Sequence, residues 1–221
     1  MRRKGPLDII LDLLFPPRCE FCSKILNSGE SKICVQCQNE LPWLIGVHAE
    51  QRLEFIPMCV SPLLYQGNVR QSILRYKFHD RSEYAKTYGK LVSQCVKDHL
   101  TGKYDLITWV PLSAKSLKKR GYDQAMLLAM ASALDLNDVA VETLRKIRNT
   151  NTQSGLKEAS ERRANVMGAY SILDANLIAN KRILLIDDVV TTGSTLSECA
   201  RVLLTHGTKE VYAATIARTS S

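Results

Sequence analysis

Two stretches of the chain are apolar without interruption, and two others are apolar only at every third or fourth position. Ile183, Leu184, Leu185 and Ile186 form one continuous run, and LITWVP, Leu106 to Pro111, forms another. Runs of this kind are expected of parallel strands buried on both faces of a sheet. From Val69 to Leu100 the apolar positions recur at helical spacing, through Ile73, Leu74, Phe78, Tyr84, Tyr88, Leu91, Val92 and Cys95. Leu7, Ile10, Leu11 and Leu14 do the same ahead of Pro16 and Pro17, which predicts an amphipathic N-terminal helix ended by the prolines. Between Leu53 and Leu64 the chain carries Pro57 and Pro62 and reads as a bridge with short strand-like pieces, and Leu196 onward reads as a helix.

The run at Ile183 ends in a change of chemistry. Asp187 and Asp188 follow where the strand emerges, and the carboxyl ends of strands are where open α/β sheets bind ligands. Val189 leads into Thr191, Thr192, Gly193, Ser194 and Thr195, four hydroxyls around a glycine that lets backbone approach a ligand. Backbone N–H groups at the start of the following helix, with its dipole, make an anion site. Carboxylates that grip hydroxyls beside an anion site call for a phosphate next to a diol. A capped helix with two solvated acids is the plainer alternative.

The 221 residues suffice for one α/β domain and a small module. No apolar run is long enough to span a membrane. The start, MRRKGPLDIILDLLFPP, has the basic head of a signal peptide, but Asp8 and Asp12 interrupt it and no small-residue cleavage site follows. A net charge of +8 favours polyanionic partners without choosing between phosphorylated substrates and nucleic acid.

Four of the seven cysteines fall as Cys19-x-x-Cys22 and Cys34-x-x-Cys37. Two such knuckles present four thiolates to one ion, and an all-sulfur tetrahedron suits Zn²⁺ in a closed, structural site. Disulfides or a redox pair are the alternatives. Cys59, Cys95 and Cys199 sit among apolar residues as ordinary core cysteines. A working boundary near residue 50 separates a helix and four-cysteine module, residues 1–50, from the main domain, residues 51–221.

Three polar segments complete the pattern. Arg70, Arg75, Lys77, His79 and Arg81 crowd one helical stretch, and Lys77, inside the string RYKF, stands out among them. Lys115, Lys118, Lys119 and Arg120 follow the strand ending at Pro111, where cations would stabilise a departing anion, although a solvated basic loop or helix start would look the same. Asn149 to Asn165 is nearly free of apolar anchors and is either a lid or an exposed linker.

The stretch ILLIDDVVTTGST resembles the signature of type I phosphoribosyltransferases, whose ligand is phosphoribosyl pyrophosphate (PRPP). The resemblance makes Asp187 and Asp188 the ribose-binding and candidate catalytic acids, and Val189 with Thr191 to Thr195 the wrapping of the 5′-phosphate. It further implies Mg²⁺ carried on the pyrophosphate, with Lys77, Lys115, Lys118, Lys119 and Arg120 as candidates for pyrophosphate or DNA phosphates. Residues Thr152, Gln153, Arg162 and Arg163 become lid candidates. Taken with the cysteine knuckles, RGYDQ at Arg120 to Gln124 and the T-x-x-Q-x-x-L string at Thr150 to Leu156, the chain resembles the competence protein F family from about residue 7 to residue 218. That resemblance implies an α/β, type I phosphoribosyltransferase-like domain with a mainly parallel sheet flanked by helices, preceded by a small zinc-ribbon module. It implies a cytoplasmic role in natural transformation, with PRPP and single-stranded DNA as ligands and a competence helicase or other DNA-processing proteins as partners. Transfer of phosphoribose to an acceptor, and an adaptor role for the zinc module, stay open beside it.

Overall fold

The computed structural model describes residues 15–27, 29–149 and 164–220. In chain order the elements are α1 (Val35–Glu40), β1 (Glu50–Leu53), β2 (Ile56–Val60), β3 (Leu63–Leu64), α2 (Gly67–Phe78), α3 (Ala85–His99), β4 (Leu106–Trp109), α4 (Ala114–Arg120), α5 (Gln124–Asp135), β5 (Leu144–Lys146), β6 (Tyr170–Ile172), β7 (Arg182–Val190), α6 (Ser194–Thr205) and β8 (Glu210–Arg218). The expected N-terminal helix lies outside the described residues.

A six-stranded sheet runs β1-β2-β8-β7-β4, with β3 also on β8. Every pairing is parallel except β1 with β2. The apolar run in β7 serves both faces, because successive side chains of a strand point to opposite sides. Leu184 and Ile186 pack with α2, α3 and α5, whereas Ile183 and Leu185 pack with α6 and the β5–β6 ribbon. The short strand-like pieces expected between Leu53 and Leu64 are β2 and β3, which lie successively along β8, and at the break between them Ser61 Oγ and Thr215 Oγ1 share a hydrogen bond of 2.7 Å.

The helical spacing from Val69 to Leu100 resolves into two helices. Asp80 at φ +50° interrupts the run, and the chain turns before α3 begins. Helix α3 meets α5 closely enough that a Cβ on Gly89 would stand 2.6 Å from the Ala131 Cβ, so that position has no room for a side chain.

The cysteine module is packed into the same apolar mass as α2 and α3. The Phe21 ring meets Tyr88 edge-on at 5.9 Å. Ser72 Oγ donates to the Glu20 carbonyl, and Arg75 Nη2 donates to the carbonyls of Phe21 at 2.7 Å and Glu20 at 3.0 Å. Cys59, Cys95 and Cys199 are buried thiols in the core. Among the described residues, no helix is long and apolar enough to cross a membrane.

Candidate functional site

Strand β7 delivers Asp187 and Asp188 to the carboxyl end of the sheet on opposite faces. Asp188 is buried on the side of α2 and α5, and Lys77 Nζ, from the last turn of α2, stands 2.8 Å from its Oδ1. Asp187 turns the other way, towards Cys199, Lys146 and Tyr170. Loss of water around it, reinforced by the neighbouring Asp188 carboxylate, pushes the Asp187 carboxyl up to about 8. The Lys77 cation and the N–H of Asp188 pull the other way, the latter donating to Asp187 Oδ1 at 2.8 Å.

The hydroxyl-rich turn follows directly. Gly193, at φ +75°, sits at the N-cap of the twelve-residue helix α6 and brings no side-chain cap of its own; Ser194 N, the first N–H of the helix, donates to Thr192 Oγ1 at 3.5 Å. Leu53 at the end of β1 lies against this glycine: a Cβ there would be 2.7 Å from Leu53 Cδ2. Thr192 Oγ1 and Ser194 Oγ are 2.9 Å apart and hold the turn closed on itself. Asp187, Thr191, Gly193 and Thr195 line a small concavity between the strand end and the helix start. A larger cavity of about 310 Å³ lies alongside, between Thr192, Ser194 and Ser197 and the β1–β2 turn at Phe55. Asp187, the helix terminus and the hydroxyls meet at the smaller one.

The basic residues separate into two groups. Lys77 reaches the acid pair. Lys115, Lys118 and Lys119 are exposed on α4, a helix with no buried residue, and make no ion pair with the acids among the described residues. Arg120, at the end of that helix, stacks its guanidinium 5.0 Å from the Phe78 ring centroid and donates to Gln124 Oε1 at 2.8 Å. The lid candidates Thr152, Gln153, Arg162 and Arg163 lie outside the described residues. The base of their segment is the antiparallel β5–β6 pair, extended by Ile147 N donating to the Ala169 carbonyl at 2.8 Å.

Two residues beside the acids were given no role from sequence. Asp123 is buried: its Oδ2 accepts from Leu112 N at 2.9 Å and its Oδ1 from Met126 N at 3.1 Å, which ties the β4 end to the start of α5. Burial raises its carboxyl above the usual range, opposed by those N–H donors. An acid directly before a helix was the available sign of that cap. Lys146 places its ammonium 5.3 Å from the Tyr170 ring centroid, and burial lowers its pKa. Nothing in its local sequence marks it.

The Sγ atoms of Cys19, Cys22, Cys34 and Cys37 all lie within 4.8 Å of one another, with Cys22 and Cys34 at 3.7 Å. Four thiolates about 2.3 Å from one ion at tetrahedral angles stand roughly 3.8 Å apart, so the donor set fits zinc. Burial opposes ionisation of Cys19, but N–H groups of Cys22, Cys34 and Phe21 directed at its sulfur outweigh that and bring the thiol down to about 7. Cys34 N donates to it at 3.4 Å.

Residues 122–221 match the phosphoribosyl transferase domain family and residues 10–49 the double zinc ribbon domain family. Over 223 residues the chain is 29% identical to competence protein F of Haemophilus influenzae, covering 91% of this chain and 96% of that protein. It is 30% identical over 221 residues to DNA utilization protein YhgH of Salmonella typhimurium, covering 91% and 90% respectively. Among solved structures, glutamine PRPP amidotransferase from B. subtilis complexed with ADP and GMP aligns with a TM-score of 0.44 at 19% identity, over 64% of this chain and 30% of that one. The domain is of the type I phosphoribosyltransferase class, a mainly parallel sheet flanked by helices behind an N-terminal zinc ribbon.

Proposed function

Because the chain belongs to the competence protein F family, which includes DNA utilization protein YhgH, we propose that it serves DNA uptake in natural transformation, binding PRPP with Mg²⁺ at the β7 end and single-stranded DNA on its basic surface. The observation that carries the PRPP reading is the union of an acid pair, a glycine-led helix start rich in hydroxyls and the Lys77 cation at one strand end. Asp187 and Asp188 accept the ribose 2′- and 3′-hydroxyls. The N–H groups and hydroxyls of Thr191 to Thr195 hold the 5′-phosphate, where the α6 dipole adds to their attraction. The resident divalent ion, held by pyrophosphate oxygens, would spread the charge of the diphosphate. Lys77 is the protein's own cation nearest the acids, and Gly193 keeps the floor of the phosphate turn free of a side chain.

Calorimetric titration of PRPP with Mg²⁺ tests this reading. Wild type should bind with a single site, and Asp188→Ala should abolish binding while the thermal transition is retained. Binding by the variant equal to wild type would end the reading.

The DNA surface is supported by Lys115, Lys118 and Lys119, exposed together on α4. Affinity for an oligonucleotide should fall steeply with salt, and no anisotropy change at low salt would refute it. The four cysteines hold zinc as a structural ion. A second reading, transfer of phosphoribose to an acceptor, draws on the match to the phosphoribosyl transferase domain and is tested by pyrophosphate release when candidate acceptors are supplied.

A further inference from the structure

A helix leaves its last carbonyls without intrahelical partners, and a helix end buried against the core needs acceptor groups satisfied from elsewhere. The last internal bond of α2 runs from His79 N to the Arg75 carbonyl, so the carbonyls of Tyr76 and Lys77 fall among those orphans. Both are taken up by one distant string, RGYDQ, at the junction of α4 and α5. Tyr122 Oη donates to the Tyr76 carbonyl, and Gln124 Nε2 donates to the Lys77 carbonyl at 3.4 Å. The bonding is reciprocal, since Tyr76 Oη donates to the Gln124 carbonyl at 2.8 Å. Arg120 adds its guanidinium over Phe78. The string therefore grips three consecutive residues, Tyr76, Lys77 and Phe78.

The middle residue of that grip is the one whose ammonium meets Asp188. A lysine has four rotatable side-chain bonds, and holding its head at 2.8 Å from a buried carboxylate requires a backbone that does not fray. Helix ends fray unless they are tied down. Asp123, between Tyr122 and Gln124, fixes the string itself to the β4 end and the α5 start, so the grip is anchored to the sheet that carries the acids.

We propose that Tyr122 and Gln124 are positioning residues that seat Lys77 on Asp188, compensating the acid pair with a resident cation until a ligand bearing both a vicinal diol and an anionic group takes over the carboxylate and the ammonium respectively. The ligand part of this statement rests on the PRPP reading; the seating of Lys77 does not.

The test separates the two. Carboxyl ¹³C NMR of the ligand-free, full-length protein follows the Asp187 midpoint, which is set by the surrounding Asp188, Lys77, Asp123 and Lys146 charges and by the Cys59, Cys199 and Tyr170 groups packed beside it. Tyr122→Phe keeps the ring and removes only the donor. It should move the midpoint upward, in the direction and by the extent seen in Lys77→Met, and should add nothing in the Lys77→Met background. Each single variant should weaken binding of PRPP with Mg²⁺ about tenfold, the size expected when one charge-assisted contact worth ~1.4 kcal/mol is lost, and the double variant no further. If Tyr122→Phe does not melt cooperatively, Gln124→Met takes its place. An unchanged midpoint in Tyr122→Phe beside a shifted one in Lys77→Met overturns the assignment, as does a Tyr122→Phe shift that persists without Lys77. A midpoint that moves as expected in a protein that does not bind PRPP keeps the seating of Lys77 and overturns the ligand half.

Discussion

Replacing Gly193 by Ala perturbs the phosphate turn at its most crowded point. Two costs can be separated. The residue sits at φ +75°, a left-handed conformation that costs an L-residue with a Cβ roughly 1–2 kcal/mol. The new methyl would also stand 2.7 Å from Leu53 Cδ2 and 3.2 Å from Cδ1, inside van der Waals contact. Leu53 is partly exposed, so its side chain can swing away, and the lower part of the usual overpacking range, about 1–2 kcal/mol, applies. The sum is roughly 2–4 kcal/mol, readable as a lower urea midpoint at unchanged slope. In a Leu53→Ala background the steric part has no partner, and the same substitution should cost only the ~1–2 kcal/mol of backbone strain. PRPP affinity should fall in both backgrounds, because the methyl narrows the floor of the turn. A Gly193→Ala cost below about 0.5 kcal/mol, or one that is the same size in both backgrounds, would refute the reasoning.

Three further outcomes are expected. Stripping the cysteine site with a chelator should loosen Phe21 from Tyr88 and cost about 3 kcal/mol or more, lowering Tm by roughly 6–12 °C in a melting scan; an unchanged Tm would remove the metal from the fold's energetics. Asp187 holds a proton in the folded protein up to about 8 that the unfolded chain releases near its ordinary value of about 4. Its contribution to stability is thus complete below about 4 and disappears as pH rises through 8, and Asp187→Asn should flatten the stability profile across that window; parallel profiles in urea titrations would contradict the shift. Replacing Lys115, Lys118 and Lys119 together by Ala should reduce the slope of log K against log salt for single-stranded DNA by about 2, measured by anisotropy, and an unchanged slope would move the DNA surface elsewhere.

What the sequence made legible is local. The apolar run of β7, the acids after it and the glycine at the helix start are contiguous, and each states its own conformational need. Lys77 was visible through its RYKF neighbours. The partners that give these residues their settings were not visible, because they are distant in the chain. The carbonyls of Tyr76 and Lys77 find donors 46 and 47 residues away, and no periodicity encodes that pairing. The break between α2 and α3 at Asp80 was hidden by apolar positions that kept helical spacing on either side of it. The short strand-like pieces around Pro57 and Pro62 were legible, but not that β2 and β3 pair in succession along β8. Lys146 carries no local signature, since its setting comes from Tyr170 on the neighbouring strand.

Helix α2 presents Ser72 and Arg75 to the carbonyls of the cysteine module and, within one further turn, Lys77 to Asp188. Lesions at the two ends therefore share one element, and their effects should not combine independently. A cysteine-ligand variant and a Lys77 variant are expected to show a coupling energy rather than simple addition, of the order of 0.5–3 kcal/mol seen for residues linked through common partners. In genetic terms, the cysteine knuckle and the acid pair are then expected to behave as one epistatic unit, so that selection on either would reach the other through the six residues Ser72 to Lys77 of a single helix.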